Sequence, residues 1–327
     1  MKVWYDACTG KHVRYGVAIA RRLRADGHKV IVTTRSHPDT VKLAEYLGEK
    51  VQVVGKYSPS TKTSKLKESL RRQSLLFKLF EENPPTIAVS HQSVELCRLA
   101  FGLGIPIIAT HDSPHAEAVN RLTLPLTDVV VVSKAIPPEI LLKYGVRKIQ
   151  SFDGVDEVSW IKSFHETVCF DYPRPMIVVR QMETKAVYAE GKQDLTEIIA
   201  KKLSGLGTVV FLTRYERKKR KNLTVPKDFV DSVSLAAQAD LVVSVGGTIA
   251  REAALLGTPS IVVFPFGYSY VNDYLSKKGF PLYTVKVEEV LDYAKRLLGR
   301  KFDVKPLLKE LEDPVEVIAR LVKELEK

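Results

Sequence analysis

Apolar residues come in short blocks along this chain, separated by stretches whose period is that of a helix. "KVWYD", "KVIVTTR", "TIAVSH", "IPIIATHD" and "TDVVVVSK" are β-branched and bounded by turn residues, as strands buried on both faces of a parallel sheet should be. Between the first two, "VRYGVAIARRLRADG" places Val13, Val17, Ala20 and Leu23 on one helix face and Arg14, Arg21 and Arg24 on another. Gly27 is a normal stop for that helix. The rhythm recurs with "PMIVVRQ", "TVVFLTR", "ADLVVSVGG", "PSIVVFP" and "PLYTV". Strand–helix alternation of this kind predicts an α/β protein of doubly wound parallel sheets. The two runs meet near "SFDGVDEVSW" (Ser151–Trp160), which gives two Rossmann-like domains, 1–152 and 153–303, with a cleft between them. Residues 304–327 read as helix broken at Asp313-Pro314, expected to pack back on the first domain.

Composition adds little to this picture, and charge adds more. Cys8, Cys97 and Cys169 have unrelated spacings, so neither a disulfide framework nor a zinc site is expected. No signal-peptide pattern opens the chain and no apolar run approaches the roughly 20 residues of a membrane span. A cytoplasmic protein is the expectation. The net charge of +12 points to an anionic partner. Nine of those charges fall in residues 1–155, where 23 Lys+Arg face 14 Asp+Glu, with a local peak over Lys56–Lys78. There, "STKTSKLKESLRRQSLLFKLFEENPP" lets Leu66, Leu70, Phe77 and Phe80 share a face, with Lys62, Lys65 and Arg72 elsewhere. Such a helix suits an anionic membrane surface or a lipid-linked acceptor, which would make the protein peripheral to a membrane. The plainer reading, which the pattern favours, is a solvated helix packed on the core. "RYERKKRKN" (Arg214–Asn222) reads as an exposed loop. Neither basic stretch interleaves aromatics, so nucleic acid has no support here while staying open.

Two segments carry candidate chemistry. In "LVVSVGGTIAREAALLGTPSIVVFP" (Leu241–Pro265) a strand delivers Gly246-Gly247, and Thr248 opens a helix. Glycines admit close backbone approach to an anion, and the helix N–H groups and dipole favour phosphate. Glu252, four residues after Thr248, shares its helix face and could meet the vicinal hydroxyls of a ribose. A tight turn, a threonine cap and a surface glutamate account for the same letters. The second segment, "ACTGKHV" (Ala7–Val13), puts Thr9, Gly10, Lys11 and His12 at the end of the first strand. Arg180 and Arg214 end strands of the second half, where a guanidinium could grip a diphosphate or simply stay exposed.

Leu241–Pro265 resembles the nucleotide-sugar segment of GT-B glycosyltransferases, in which the Gly-rich turn holds the diphosphate and a helix glutamate the ribose. "ACTGKHVRYGVAIARRLRADGHKV" is similar to the amino-terminal loop of the N-acetylglucosaminyltransferases that make the lipid-linked peptidoglycan precursor. Thr9, Gly10 and His12 match that loop's Gly-Gly-Thr-Gly-Gly-His, while Ala7, Cys8 and Lys11 replace its other glycines. "IIATHDSPHAEAVNRLTLPLTDVVVVSKA" places His111, Asp112, Asn120 and Arg121 on those enzymes' His-Glu turn and Asn-Arg pair, with Asp for Glu. Taken whole, the chain resembles the family of domain of unknown function 354, grouped with GT-B folds.

That resemblance implies a GT-B-like fold and a metal-independent glycosyltransferase using a nucleoside-diphosphate sugar, of UDP type, with no other cofactor. The acceptor would dock on the first domain and the nucleotide sugar on the second. Asp112 would be the base, with His12 or His111 as alternatives, and the Gly246-Gly247 amides would stabilise the leaving diphosphate. Thr248, Glu252, Arg180, Arg214, Thr9, Gly10 and Asn120 complete the implied ligand set. Two rivals stand beside it. One is a nucleotide-sugar 2-epimerase or hydrolase; these carry a His-Arg pair where this chain has "VVRQME", with arginine but no histidine. The other is a nucleotide- or polyanion-binding protein without catalysis.

Overall fold

The protein, seen in a computed structural model, is described over residues 1–58 and 60–325. Pro59 (inside the Lys56–Lys78 segment), Glu326, Lys327 and the Pro38 side chain lie outside the described residues. Two compact units form: Met1–Trp160 with Glu312–Lys327, and Ile161–Leu311.

The first unit holds a parallel sheet of β1 (Lys2–Ala7), β2 (Lys29–Ser36), β3 (Val51–Lys56), β4 (Ile87–Ser90), β5 (Ile107–His111), β6 (Val129–Ser133) and β7 (Ile149–Phe152). Their order is β3-β2-β1-β4-β5-β6-β7. The helices are α1 (Gly10–Ala25), α2 (Pro38–Tyr46), α3 (Lys62–Phe80), α4 (Val94–Gly102), α5 (Glu117–Thr123), and the single turns α6 (Glu139–Leu142) and α7 (Val158–Ile161). β4, β5 and β6 are buried at every position, which is why they read as continuous apolar blocks. β3 and β7 escape that reading because they are the edges: "VQVVGK" is half exposed, and "IQSF" is buried only at Phe152.

Two expectations fail within the helices. On α1, Arg21 and Arg24 are exposed, but Arg14 is buried beside Val13, Val17, Ala20 and Leu23. On α3, Phe80 is buried without Leu66, Leu70 and Phe77, which are 61%, 58% and 42% exposed. The inward face is Arg72, Leu76 and Phe80, spaced by four. Arg72 sets this rotation. The Asp6 carboxylate, wholly buried on β1, needs a countercharge, and Arg72 Nη1 donates to its Oδ2 at 2.9 Å. Burial pushes the Asp6 carboxyl up, but Arg72, Ser93 and Thr33 outweigh it and hold it at about 2.

The second unit holds β8 (Met176–Arg180), β9 (Thr208–Leu212), β10 (Leu241–Ser244), β11 (Ser260–Val262) and β12 (Leu282–Thr284), all parallel, in the order β12-β11-β10-β8-β9. Its helices are α8 (Thr196–Leu203), α9 (Ser232–Gln238), α10 (Thr248–Leu255), α11 (Tyr270–Lys277), α12 (Val290–Leu297) and α13 (Lys305–Glu310). Alternate strand residues feed two cores, Ile177, Val179 and Phe211 on one face and Val178, Val210 and Leu212 on the other.

The last helix, α14 (Pro314–Glu324), belongs to the first unit and packs on α1. Asp313 caps it, its Oδ1 accepting from Val315 N at 2.9 Å. The units divide after Trp160 and Leu311, not after residues 152 and 303. The reason is local. Glu312 N donates to Asp153 O at 2.8 Å, Asp153 N to Glu312 Oε2 at 2.9 Å, and Ser159 Oγ to Asp313 Oδ1 at 3.0 Å. These bonds stitch 153–159 to the returning chain, so α13 stays with the second unit and α14 does not. No helix among the described residues is long and apolar enough to cross a membrane.

Candidate functional site

Each sheet has one place where strand order reverses, and loops leaving the carboxyl ends of the flanking strands open a crevice there. In the first unit these strands are β1 and β4. β1 runs into "ACTGKHV" and β4 into Ser90-His91-Gln92-Ser93. Thr9 caps α1, its Oγ1 accepting from His12 N at 3.4 Å, and Gly10 is the first helical residue.

Lys11 is the hub of this pole. Its Nζ donates to Asp112, lies 2.8 Å from Asp156 Oδ2 and 3.7 Å from Glu157 Oε1, and all four side chains are nearly buried. Asp112 also receives His91 Nε2 at 3.1 Å and Ser113 Oγ at 2.7 Å. His91 Nδ1 meets Thr110 Oγ1 at 2.6 Å. Since an ionised Asp112 only accepts, His91 Nε2 carries a proton and donates to it. Burial raises the Asp156 carboxyl, against the opposing charge of Lys11.

The three sequence-derived candidates for the base separate. His12 stands edge-on to His91, ring centroids 4.9 Å apart, and its Nδ1 accepts Cys8 N–H at 3.3 Å. Burial first, then His91 and Lys11, push its pKa well below the ordinary value. The neutral ring therefore carries its proton on Nε2 and offers a donor. His111 is fully buried, and burial brings its pKa to about 3. Its Nδ1–H donates to Gln92 Oε1 at 2.7 Å, and Gln92 Nε2 donates to Asn120 Oδ1 at 2.9 Å and Thr123 Oγ1 at 3.0 Å. Asn120 Nδ2 donates to Pro114 O at 3.2 Å. His111 and Asn120 thus pin the loop after β5 from within, and Arg121 beside them is exposed and paired with Glu117. Cys8 is no nucleophile, since burial raises its thiol to about 12.

In the second unit the reversal lies between β10 and β8. Arg180 is level with Ser244 across that pair, two residues before Gly246. Gly246 has φ +122°, a conformation that L side chains rarely adopt. Gly247 takes the cap position of α10 and Thr248 its first turn, with no side-chain cap. The first N–H groups of the helix are left facing the turn. Arg180 Nη1 donates to Thr213 O at 3.1 Å, and Arg214 Nε to Gln181 O at 2.8 Å. Both arginines therefore sit at the carboxyl ends of neighbouring strands, β8 next to the β10 that leads into the glycines and β9 one strand further out. Glu252 and Arg251 on α10 are buried, at 2% and 5% exposure. Sequence reasoning passed over His91, Asp156, Glu157, Arg251 and Asn272. His91 alone left a sign, ending a strand block as His111 does.

Two parallel doubly wound sheets, each with its switch point at a polar or glycine-rich pole, define a GT-B-like α/β protein. The chain belongs to the family described as Protein of unknown function (DUF354), which matches residues 1–327. It is 32% identical to Uncharacterized protein MJ0665 of Methanocaldococcus jannaschii over 337 residues, covering 97% of this chain and 96% of that one. Its fold resembles the UDP-GlcNAc 2-epimerase of M. jannaschii solved with UDP-GlcNAc and UDP, with TM-score 0.72 and 14% identity over 99% of this chain and 100% of the other. It also resembles Spinosyn Forosaminyltransferase SpnP, with TM-score 0.65 and 15% identity over the whole of both chains.

Proposed function

We propose that this protein is a glycosyltransferase that takes a nucleoside-diphosphate sugar, of UDP type, on its second unit. The observation that carries this is the Gly246-Gly247 turn: a glycine at φ +122° beside the switch of β10 and β8, followed at once by the start of α10. Amides and helix dipole aimed at one point stabilise the charge that develops on a leaving diphosphate. Arg180 and Arg214 at the adjoining strand ends add to that field. Glu252 would hold the ribose. In the first unit Asp112 takes the acceptor hydroxyl's proton, held ionised and aimed by Lys11, His91 and Ser113. His12, with its Nε2–H, donates to the bound acceptor.

The test is turnover of nucleotide sugars by the wild type and Asp112→Asn. Loss of about 10²–10⁴-fold in rate with nucleotide binding retained supports the assignment. Equal turnover would sink it. A second reading, 2-epimerisation, rests on the likeness to the epimerase fold. An epimerase would interconvert the donor with no acceptor present, whereas a transferase would release free nucleotide only when an acceptor is supplied.

The acceptor is proposed to be lipid-linked, with α3 resting on an anionic membrane surface. Leu66, Leu70 and Phe77 stand exposed beside the exposed cations Lys67, Arg71 and Lys78. Co-sedimentation with anionic vesicles, lost in Leu70→Ser/Phe77→Ser and absent with neutral vesicles, is the expected result. A wild type that ignores anionic vesicles counts against the membrane face.

A further inference from the structure

Gly247 needs to be glycine for a reason its backbone does not supply. Its φ of −94° is open to any residue. Yet a Cβ on it would lie 2.0 Å from Arg251 Nη1, 2.8 Å from Arg251 Cζ and 3.1 Å from Asn272 Oδ1. The guanidinium of Arg251, one turn into α10, folds back along the helix and rests against the turn itself. Its Nη1 donates to Asn272 Oδ1 at 3.2 Å. That bond orients the carboxamide with its oxygen toward the arginine. Asn272 is fully buried, and its Nδ2 has no hydrogen-bond partner among the described residues. A buried amide N–H₂ left unmatched costs stability, so its persistence asks for a ligand.

We propose that Arg251 and Asn272 form a buried diphosphate-binding pair beneath the Gly246-Gly247 turn. This rests on the nucleotide-sugar reading and deepens it. The helix amides and dipole bring only partial charge, about half an elementary unit. Arg251 adds a full charge at the same end of α10, in a planar fork suited to phosphate oxygens. Asn272 Nδ2 adds a neutral donor whose own need for a partner is met only when an acceptor oxygen arrives. A site with that much positive charge selects for two phosphate groups over one. Arg180 and Arg214 approach from β8 and β9, while Arg251 and Asn272 approach from the α10–α11 side, so the two phosphates would be gripped from opposite flanks.

The experiment is calorimetric titration of the full chain with inorganic pyrophosphate, UDP and UMP, on the wild type, Arg251→Met, Arg251→Lys and Asn272→Ala. The wild type should prefer UDP and pyrophosphate to UMP. Arg251→Met should weaken both diphosphate ligands by at least about tenfold and UMP much less, with Arg251→Lys recovering part of the loss. Asn272→Ala should weaken pyrophosphate and UDP more than UMP, and it should lower the unliganded melting temperature, because it also removes the acceptor of Arg251 Nη1. Variants that bind pyrophosphate as tightly as the wild type, or lose UMP and UDP in equal proportion, overturn the pair. If Arg251→Met does not fold, Asn272→Ala decides by the same criterion. A wild type that binds none of the three ligands overturns the nucleotide-sugar reading and the pair with it; that failure is visible before any variant is made.

Discussion

Lys11 and Asp156 stand 145 residues apart in the chain and meet at 2.8 Å, with both side chains nearly buried. The same ammonium serves Asp112 and Glu157, so one cation sits among three carboxylates drawn from two segments of the first unit. Lys11 occupies a position where the resembling transferase loop has a glycine. The charge it brings is what lets a carboxylate persist at this pole.

Replacing that cation is the first prediction. Lys11→Met leaves the carboxylates without the ammonium they share, and removing one partner of a buried ion pair costs about 3–5 kcal/mol. Urea unfolding should report a loss of that order. Asp112→Asn in the Lys11→Met background should recover part of it, because one of the stranded charges is gone.

Arg72 and Asp6 make a second, independent ion pair inside the first unit. Arg72→Leu should destabilise by about 3–5 kcal/mol, and Arg72→Leu/Asp6→Asn by less. Asp6, at about 2 in the folded chain, is depressed below an ordinary aspartate. Its contribution is therefore present above the unfolded value, near pH 4, and lost as pH falls through about 2. Acid titration of unfolding in Asp6→Asn should lack that final step.

The histidines act at milder pH. His111 is lowered to about 3 by burial, so the unfolded chain takes up its proton first as pH falls below about 6.5. Stability from this group is complete above that value and drains toward pH 3, with a slope of about 1.4 kcal/mol per pH unit. His111→Gln keeps a donor for Gln92 and removes the titration. Its stability should vary less between pH 6.5 and 4.5 than the wild type's, by roughly one proton's slope; equal slopes would refute the assignment.

Gly246 and Gly247 should fail differently as alanines. Around Gly246 nothing lies within 4 Å of a Cβ, but φ +122° strains any side chain, so Gly246→Ala should cost about 1–3 kcal/mol. Gly247→Ala has an ordinary φ and meets Arg251 Nη1 instead. Gly247→Ala/Arg251→Ser should regain stability lost in the single Gly247→Ala variant without regaining pyrophosphate affinity. For Gly246→Ala the same second substitution should restore nothing.

Much of the fold was legible because buried parallel strands have no choice of composition. β4, β5, β6, β10 and β11 are buried at every position, and β8 at all but Arg180, so they announce themselves. Of the edge strands, β9 keeps a buried apolar run and could be read, while the half-exposed β3 and the β7 buried only at Phe152 could not. The glycines of β10–α10 could be read for the same reason: strand, turn and helix chemistry are local.

What local pattern could not convey was which charges would be taken inside. Nothing in the letters around Arg14, Arg72 and Arg251 marks them as buried, because a charge is left in water unless a partner distant in sequence compensates its burial. Asp6 meets Arg72 across 66 residues, and Lys11 meets Asp112 across 101. Helix periodicity put Leu66, Leu70, Phe77 and Phe80 on one face; the Asp6 carboxylate, by claiming Arg72, turns Phe80 inward and leaves the other three outside. The amino-acid sequence by itself determined the strand–helix alternation, the glycine turn and the family. Only tertiary structure decided which face of α3 is inside, where one unit stops, and that His111 braces a loop while Lys11, His91 and Asp112 come together, since pairing energies between distant charges exist only once the chain has folded.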